Sequence, residues 1–234
     1  MCIRDSYKDT GRIYRVAPPG TKTPVGFDIA TYSDDKLVEM QMHRNDWYVR
    51  QARLLLHSRT AAGKLNRESV HEKLNQLFND PKTTGPKRLR ALWALYVIEG
   101  IEAPDLIDLL RDSDEYLRSW AVQLLMNDIR LNEEGVAMIT EMARDEESPL
   151  VRLYLASAAQ RVPVTMRAPL LKVLLARVED ANDPNLPLMY WYAAESVLAA
   201  DSKQAVQLLV ACKISKLRQF ITRRMAVKQL SSGG

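Results

Sequence analysis

From Ser33 to Gln229, apolar residues recur every three to four positions, in segments of 10 to 17 residues separated by short polar breaks. A period near 3.6 puts the apolar side chains of each segment on one face of an α-helix. The breaks fall near Arg44-Asn45, Gly63, Asn79-Asp80-Pro81, Gly100, Asp112-Ser113, Asn127-Asp128, Glu147-Ser148-Pro149, Pro163, Asp180 to Pro184, and Asp201. They carry the Asp, Asn, Ser, Pro and Gly that stop one helix or cap the next. About twelve helices follow. Pro86, Pro104, Pro149 and Pro169 stand where a first-turn proline is tolerated. Ahead of this region, Gly11-Arg12-Ile13-Tyr14-Arg15-Val16 has strand-forming residues after a turn glycine. The stretch from Ala17 to Pro24 can neither continue a strand nor start a helix, and reads as a linker.

The helical segments also repeat. Every second one opens with an apolar residue followed by arginine: Val49-Arg50, Leu89-Arg90, Leu117-Arg118, Val151-Arg152 and Leu217-Arg218, with Leu188-Met189 fitting the phase without the arginine. Asp46 and Asp114 stand three residues before the apolar position. Three residues after it come Ala52, Leu92, Trp120, Tyr154, Trp191 and Phe220; seven after it come Leu56, Tyr96, Leu124, Ala158, Glu195 and Arg224. These positions define one helical face, with Glu195 and Arg224 as polar exceptions near the end. A single helical hairpin has too little core to fold alone, so such repeats bury their faces on one another.

Asp-x-x-Val-Arg at the head of a helix, recurring about every 34 residues, resembles the HEAT repeat over roughly Ser33 to Gln229. The order of a Gly11–Val16 strand, a Pro-Gly linker and Asn45-Asp46-Trp47-Tyr48-Val49-Arg50-Gln51-Ala52-Arg53 is similar to a junction in large membrane-bound dehydrogenases of planctomycetes and related bacteria. The resemblance implies an extracytoplasmic redox protein joining a sugar-dehydrogenase-like β-propeller, a HEAT region and a c-type cytochrome. Residues 7–16 would then be the last strand of a truncated propeller. None of that family's cofactor or substrate residues has a counterpart here.

Composition narrows the chemistry. The longest unbroken apolar run, Ala91 to Ile98, is far short of the ~18 residues of a membrane span. Cys2 and Cys212 form no Cys-x-x-Cys pattern, and His43, His57 and His71 are spaced 14 apart, too far for ligands on one helix. No cofactor and no metal are expected. The net charge of +4 belongs to the ends: residues 1–22 carry +3 and residues from Ser202 onward +7, which leaves −6 for the middle. A nucleic-acid groove needs positive charge along its length, so nucleic acid is not the expected partner. Residues 1–6 (MCIRDS) read as a translated adapter scar and residues 231–234 as a flexible tail. The chain therefore reads as a fragment of a longer protein.

Several residues admit a sharper and a plainer reading. Arg50, Arg90, Arg118, Arg152 and Arg218 either line a surface for an anionic partner or pair with acids one turn away and on the neighbouring repeat. The i,i+4 spacing of Asp46–Arg50 and Asp114–Arg118 favours pairing. Trp47, Trp93, Trp120 and Trp191, with Tyr154, Tyr190 and Tyr192, either form a stacking platform or fill core. Their helical phase favours core, with Trp47 the exception. The basic C-terminal helix reads as a cap or a face for a following domain rather than a membrane contact. Met40-Gln41-Met42-His43 reads as packing rather than a copper or haem ligand set.

The expectation is thus an all-α protein, a HEAT-type α-solenoid of about six helical hairpins preceded by a short extended segment. It would act as a non-catalytic scaffold whose partners are proteins or adjacent domains of the same chain. Arg50, Arg90, Arg118, Arg152, Arg218 and Trp47 are its candidate interaction surface. The alternative is a DNA-binding protein or alkylated-base DNA glycosylase, with Asp46 or Asp114 beside Trp47 or Trp120 stabilising a sugar cation.

Overall fold

The computed structural model describes residues 16–22, 27–128 and 132–232. The expected scar and all but Val16 of the expected propeller strand lie outside them. Among the described residues the chain is all-α, with twelve α-helices and no strand. They are α1 (Asp34–Glu39), α2 (Asp46–Ala61), α3 (Arg67–Asn79), α4 (Gly85–Val97), α5 (Ala103–Leu109) and α6 (Glu115–Asp128), then α7 (Glu133–Asp145), α8 (Pro149–Ala159), α9 (Ala168–Leu175), α10 (Leu186–Ala200), α11 (Ser202–Ala211) and α12 (Ser215–Ser232). The last runs two residues into the stretch expected as a tail.

Local chemistry accounts for most boundaries. Side chains of Ser33, Asn45, Asn66, Asn132, Ser148 and Asp201 accept hydrogen bonds from first-turn amides, satisfying donors a helix start would otherwise leave unpaired. The four expected prolines all sit in first turns. In the linker, Pro18-Pro19-Gly20-Thr21 closes a β-turn through Thr21 N–H to the Pro18 carbonyl (3.2 Å). Gly20 takes the φ of +78° that its third position requires.

Two boundaries and one helical phase depart from expectation. A break between α11 and α12 falls at Lys213, with no Gly, Pro or Asp to announce it. There the Lys213 N–H donates to Leu175 O (2.9 Å), and Arg218 Nη1 donates to the carbonyls of Leu209 and Cys212. At the end of α4 the left-handed residue is Glu99, with φ of +56°, not Gly100. Gly100 is needed for space: a Cβ there would come within 2.8 Å of the His71 ring. In α10 the phase is displaced. Leu188 is 38% exposed, while Leu186 and Tyr190 are buried.

The helices form two rows. In one, α2, α4, α6, α8, α10 and α12 each touch the next; in the other, α1 meets α3, and α7, α9 and α11 follow one another. Cross-row packing joins α3 to α4, α5 to α6, α7 to α8 and α9 to α10. Two apolar cores result. The smaller holds Leu37, Leu56, Val70, Leu74 and Leu95; the larger runs from Leu89 to Ile221. Helix α4 serves both, sending Leu89 and Leu92 one way and Ala94 and Leu95 the other. Glu195 and Arg224, the polar exceptions, meet across α10 and α12 at 3.6 Å.

Candidate interaction groove

Arginines latch the row of even-numbered helices together. Arg88 of α4 forks onto Asp112, Arg118 of α6 onto Glu146, and Arg152 of α8 onto Asp180. Each acid lies in the loop before the next even helix, 24, 28 and 28 residues on. Arg118 and Arg152 also donate to carbonyls five and six residues earlier, so one guanidinium ties two loops. Two-point forks of this kind fix direction as well as distance.

Burial deepens along this ladder. The Arg152 and Asp180 side chains are only 4% and 3% exposed, and Tyr190 Oη donates to the same carboxylate at 2.6 Å. Burial, reinforced by the Asp180 charge, pushes the Tyr190 hydroxyl far above its ordinary range, so it stays a donor. Burial alone would raise the Asp112 and Glu146 carboxyls. The guanidiniums of Arg88 and Arg118 and the N–H groups of Asp114 and Ser148 outweigh it and hold both below the usual range.

This settles where the five expected arginines sit, and they do not share one open face. Arg50 is 71% exposed and pairs with Asp46 at 2.6 Å, as its spacing suggested. Arg90 reaches Asp46 and the His43 carbonyl. Arg118 bypasses Asp114, which caps α6 by accepting from Tyr116 N–H (2.8 Å). Arg152 is buried in the ladder, and Arg218 is taken up by carbonyls at the C-terminal end of α11. In α4 the ladder residue is Arg88, not Arg90; the apolar-arginine signature placed it two residues late.

Other arginines carried no sequence signature. Arg161 donates to the last turn of α6 at Met126 O (3.0 Å), and Arg177 to the last turn of α7 at Ala143 O (2.7 Å), where carbonyls lack helical partners. Arg167 is buried without an ion pair among the described residues. It donates to Val162 O, Gln160 O, Ala193 O and Ser196 Oγ, and burial lowers its affinity for a proton.

The aromatic residues meet the expectation of core in part: Trp93, Trp120, Tyr154 and Trp191 pack against the larger core without being enclosed by it. Only Tyr190 is fully buried; Trp93, Trp120, Tyr154 and Trp191 are half-buried, and Trp47 and Tyr192 are exposed. Trp93 meets Trp120 edge-on at 4.8 Å, Trp120 meets Tyr154 at 6.2 Å, and the Arg53 guanidinium covers Trp93 at 4.9 Å. Side chains in phase on successive helices thus make a row across α2, α4, α6 and α8. Trp47 stands apart, in a cluster with Phe27 and Tyr48.

Two open cavities lie along the row. One, of about 580 Å³, is lined by Asp46, Arg50, Arg53, Arg90, Trp93 and Trp120 among others. The second, of about 560 Å³, is lined by Trp120, Gln123, Tyr154, Asn185, Leu188 and Tyr192 among others. They share Trp120 and Asn127 and form one groove. A third cavity, of about 690 Å³, opens between α5 and α7; its lining mixes acids, among them Glu141, Asp145 and Glu146, with Arg111, Arg118 and apolar side chains. Met40-Gln41-Met42-His43 forms a tight turn, with Gln41 buried and His43 Nδ1 accepting from Asn45 N–H (3.0 Å). No cluster of three metal-ligating side chains occurs among the described residues, and no described helix is long and apolar enough to cross a membrane. The chain matches no family model and no curated protein.

Proposed function

We propose that this chain is a HEAT-type helical-repeat module that works by holding partners in place, as the spacer between domains of a larger extracytoplasmic oxidoreductase. The observation that carries the scaffold reading is the arginine ladder. Helices α4, α6 and α8 are each latched to the loop before the next even helix by a fork that resists both sliding and rotation. Neighbour-to-neighbour coupling of this kind transmits a fixed geometry along a stack. The redox context rests on the order, along the sequence, of the Gly11–Val16 segment, the Pro-Gly linker and the Asn45–Arg53 motif. Reading the coding sequence on both sides tests it. An upstream β-propeller and a downstream Cys-x-x-Cys-His support the spacer; a start at Met1 and a stop after Gly234 defeat it and leave a free-standing binding protein.

One observation favours a second reading, DNA binding with glycosylase chemistry: Asp46 shares a groove with three arginines and two tryptophans. Against it, the groove's α8–α10 half is lined by no charged residue among the described ones. Release of free base from alkylated duplex DNA by the purified chain would establish this reading and end the non-catalytic one.

A further inference from the structure

The groove on the even-numbered helices is uneven in charge, and the unevenness specifies an occupant. At the α2–α4 end three guanidiniums surround one carboxylate. Asp46 Oδ2 accepts from Arg50 Nε (2.6 Å) and its Oδ1 from Arg90 Nη2 (3.3 Å), so both oxygens are engaged. Arg53 has no ion pair among the described residues. Its Nη1 and the Nε1 of Trp93 beneath it are buried donors without a hydrogen-bond partner. Unmatched buried donors are costly, and a carboxylate oxygen satisfies both kinds. This end is one carboxylate short.

The α6–α10 end differs. Its floor is the aromatic and aliphatic surface of Trp120, Tyr154, Leu188 and Tyr192, and its polar lining includes the neutral amides of Gln123, Asn127 and Asn185. Asp183 Oδ1 accepts the first N–H groups of α10, and the Asn185 side chain makes no capping bond. Asn127 Oδ1 already accepts from Gln123 Nε2 (3.2 Å) and Arg161 Nη1 (2.9 Å), which leaves the Asn185 amide to donate to and accept from a peptide backbone. Crossing from α4 to α10 takes three helix spacings of about 8–10 Å each. That is the reach of roughly eight or nine residues of extended chain at about 3.3 Å per residue.

The geometry points to an extended peptide segment as the ligand of this groove. An Asp or Glu side chain sits at Arg53 and Trp93, and large apolar side chains sit over Trp120, Tyr154 and Tyr192. This deepens the scaffold reading and rests on it, by naming what the scaffold holds. A single-stranded nucleic acid fits less well, because the side chains that line the α6–α10 half among the described residues are uncharged.

The test is selection of random nonapeptides displayed on phage against the whole purified chain, followed by fluorescence anisotropy of the enriched sequences. Expected are peptides with an acidic residue at one end and aromatic or aliphatic residues towards the other. Arg53→Gln and Tyr192→Ala should each weaken them at least tenfold. Changing the peptide acid to its amide should cost affinity in the wild type and little more in Arg53→Gln. Tyr192 is 54% exposed, so its variant tests the groove even if Arg53→Gln fails to fold. The inference is overturned by no enrichment, by basic sequences, by full affinity in Tyr192→Ala, or by tighter binding of a 20-mer oligothymidylate or cellohexaose. Those outcomes leave the domain-spacer reading standing, since it is decided by the flanking coding sequence. A free-standing gene with peptide binding intact would defeat only the spacer.

Discussion

The two cores of this molecule are held by ion pairs of different kinds. Around the larger one, Arg88–Asp112, Arg118–Glu146 and Arg152–Asp180 are forked, increasingly buried and link successive helices of one row. Around the smaller one, Lys36–Glu39, Lys73–Asp35 and Arg67–Glu99 are single contacts with at least one partner more than half exposed. Arg59–Asp34 is the partly buried exception. Exposed pairs contribute little, because water and salt screen them. Breaking a buried pair strands a charge with no solvent to receive it. The larger core has exposed pairs too, such as Arg144–Glu141, but among the described residues only it has buried forks of this depth.

The largest test of this contrast is Asp180→Ala, which strands the Arg152 guanidinium and the Tyr190 hydroxyl together. Urea unfolding should show a loss of about 3–5 kcal/mol. A loss below 1 kcal/mol would mean the ladder is not what holds these helices.

Next comes Glu146→Gln, expected to cost about 1.5–3 kcal/mol at neutral pH by removing a charge-assisted fork. Its pH dependence sharpens the point. A carboxyl depressed in the folded state adds stability that is complete above its unfolded value, about 4.3 for Glu, and is lost as pH falls through the lower folded value. Asp112 and Glu146 both behave this way. The wild type should lose stability below about pH 4, and Glu146→Gln should lose less over that range. Parallel acid titrations of the two would reverse this assignment.

A smaller effect, of opposite sign, belongs to Glu99→Gly. Glycine adopts the left-handed conformation at the end of α4 freely, so thermal melting should show a gain of about 0.5–1 kcal/mol. No gain would mean the Arg67–Glu99 contact offsets the strain. The smallest is Asp35→Ala at the Lys73 pair, expected to change stability by less than about 0.5 kcal/mol. An effect as large as that of Glu146→Gln would erase the distinction between the two regions.

Helix positions were legible in this chain wherever a cap marked them. Ser33, Asn45, Asn66, Ser148 and Asp201 act within one turn of their own backbone, so sequence proximity is enough. The break at Lys213 was not legible, because the groups that stabilise it lie on α9 and on Arg218. The acid partners of the ladder were missed for the same reason. Asp114 is the near neighbour of Arg118 in sequence, but Glu146, 28 residues on, is its partner in space. Of the groove, the sequence showed the tryptophans and placed them on the correct faces. It could not show that the face opens on one side, which left the rings half-buried.

What the sequence determined by itself was the helical periodicity, most of the caps and breaks, and the repetition of an arginine near the head of every second helix but α10. These rest on interactions within a turn or two. Tertiary packing decided which arginine enters the ladder, which phase of α10 faces inward, and whether an aromatic ring is core or surface. Those outcomes depend on how far each helix is rotated against its neighbours. That rotation is set jointly by side chains some 25 to 35 residues apart, which no local pattern contains.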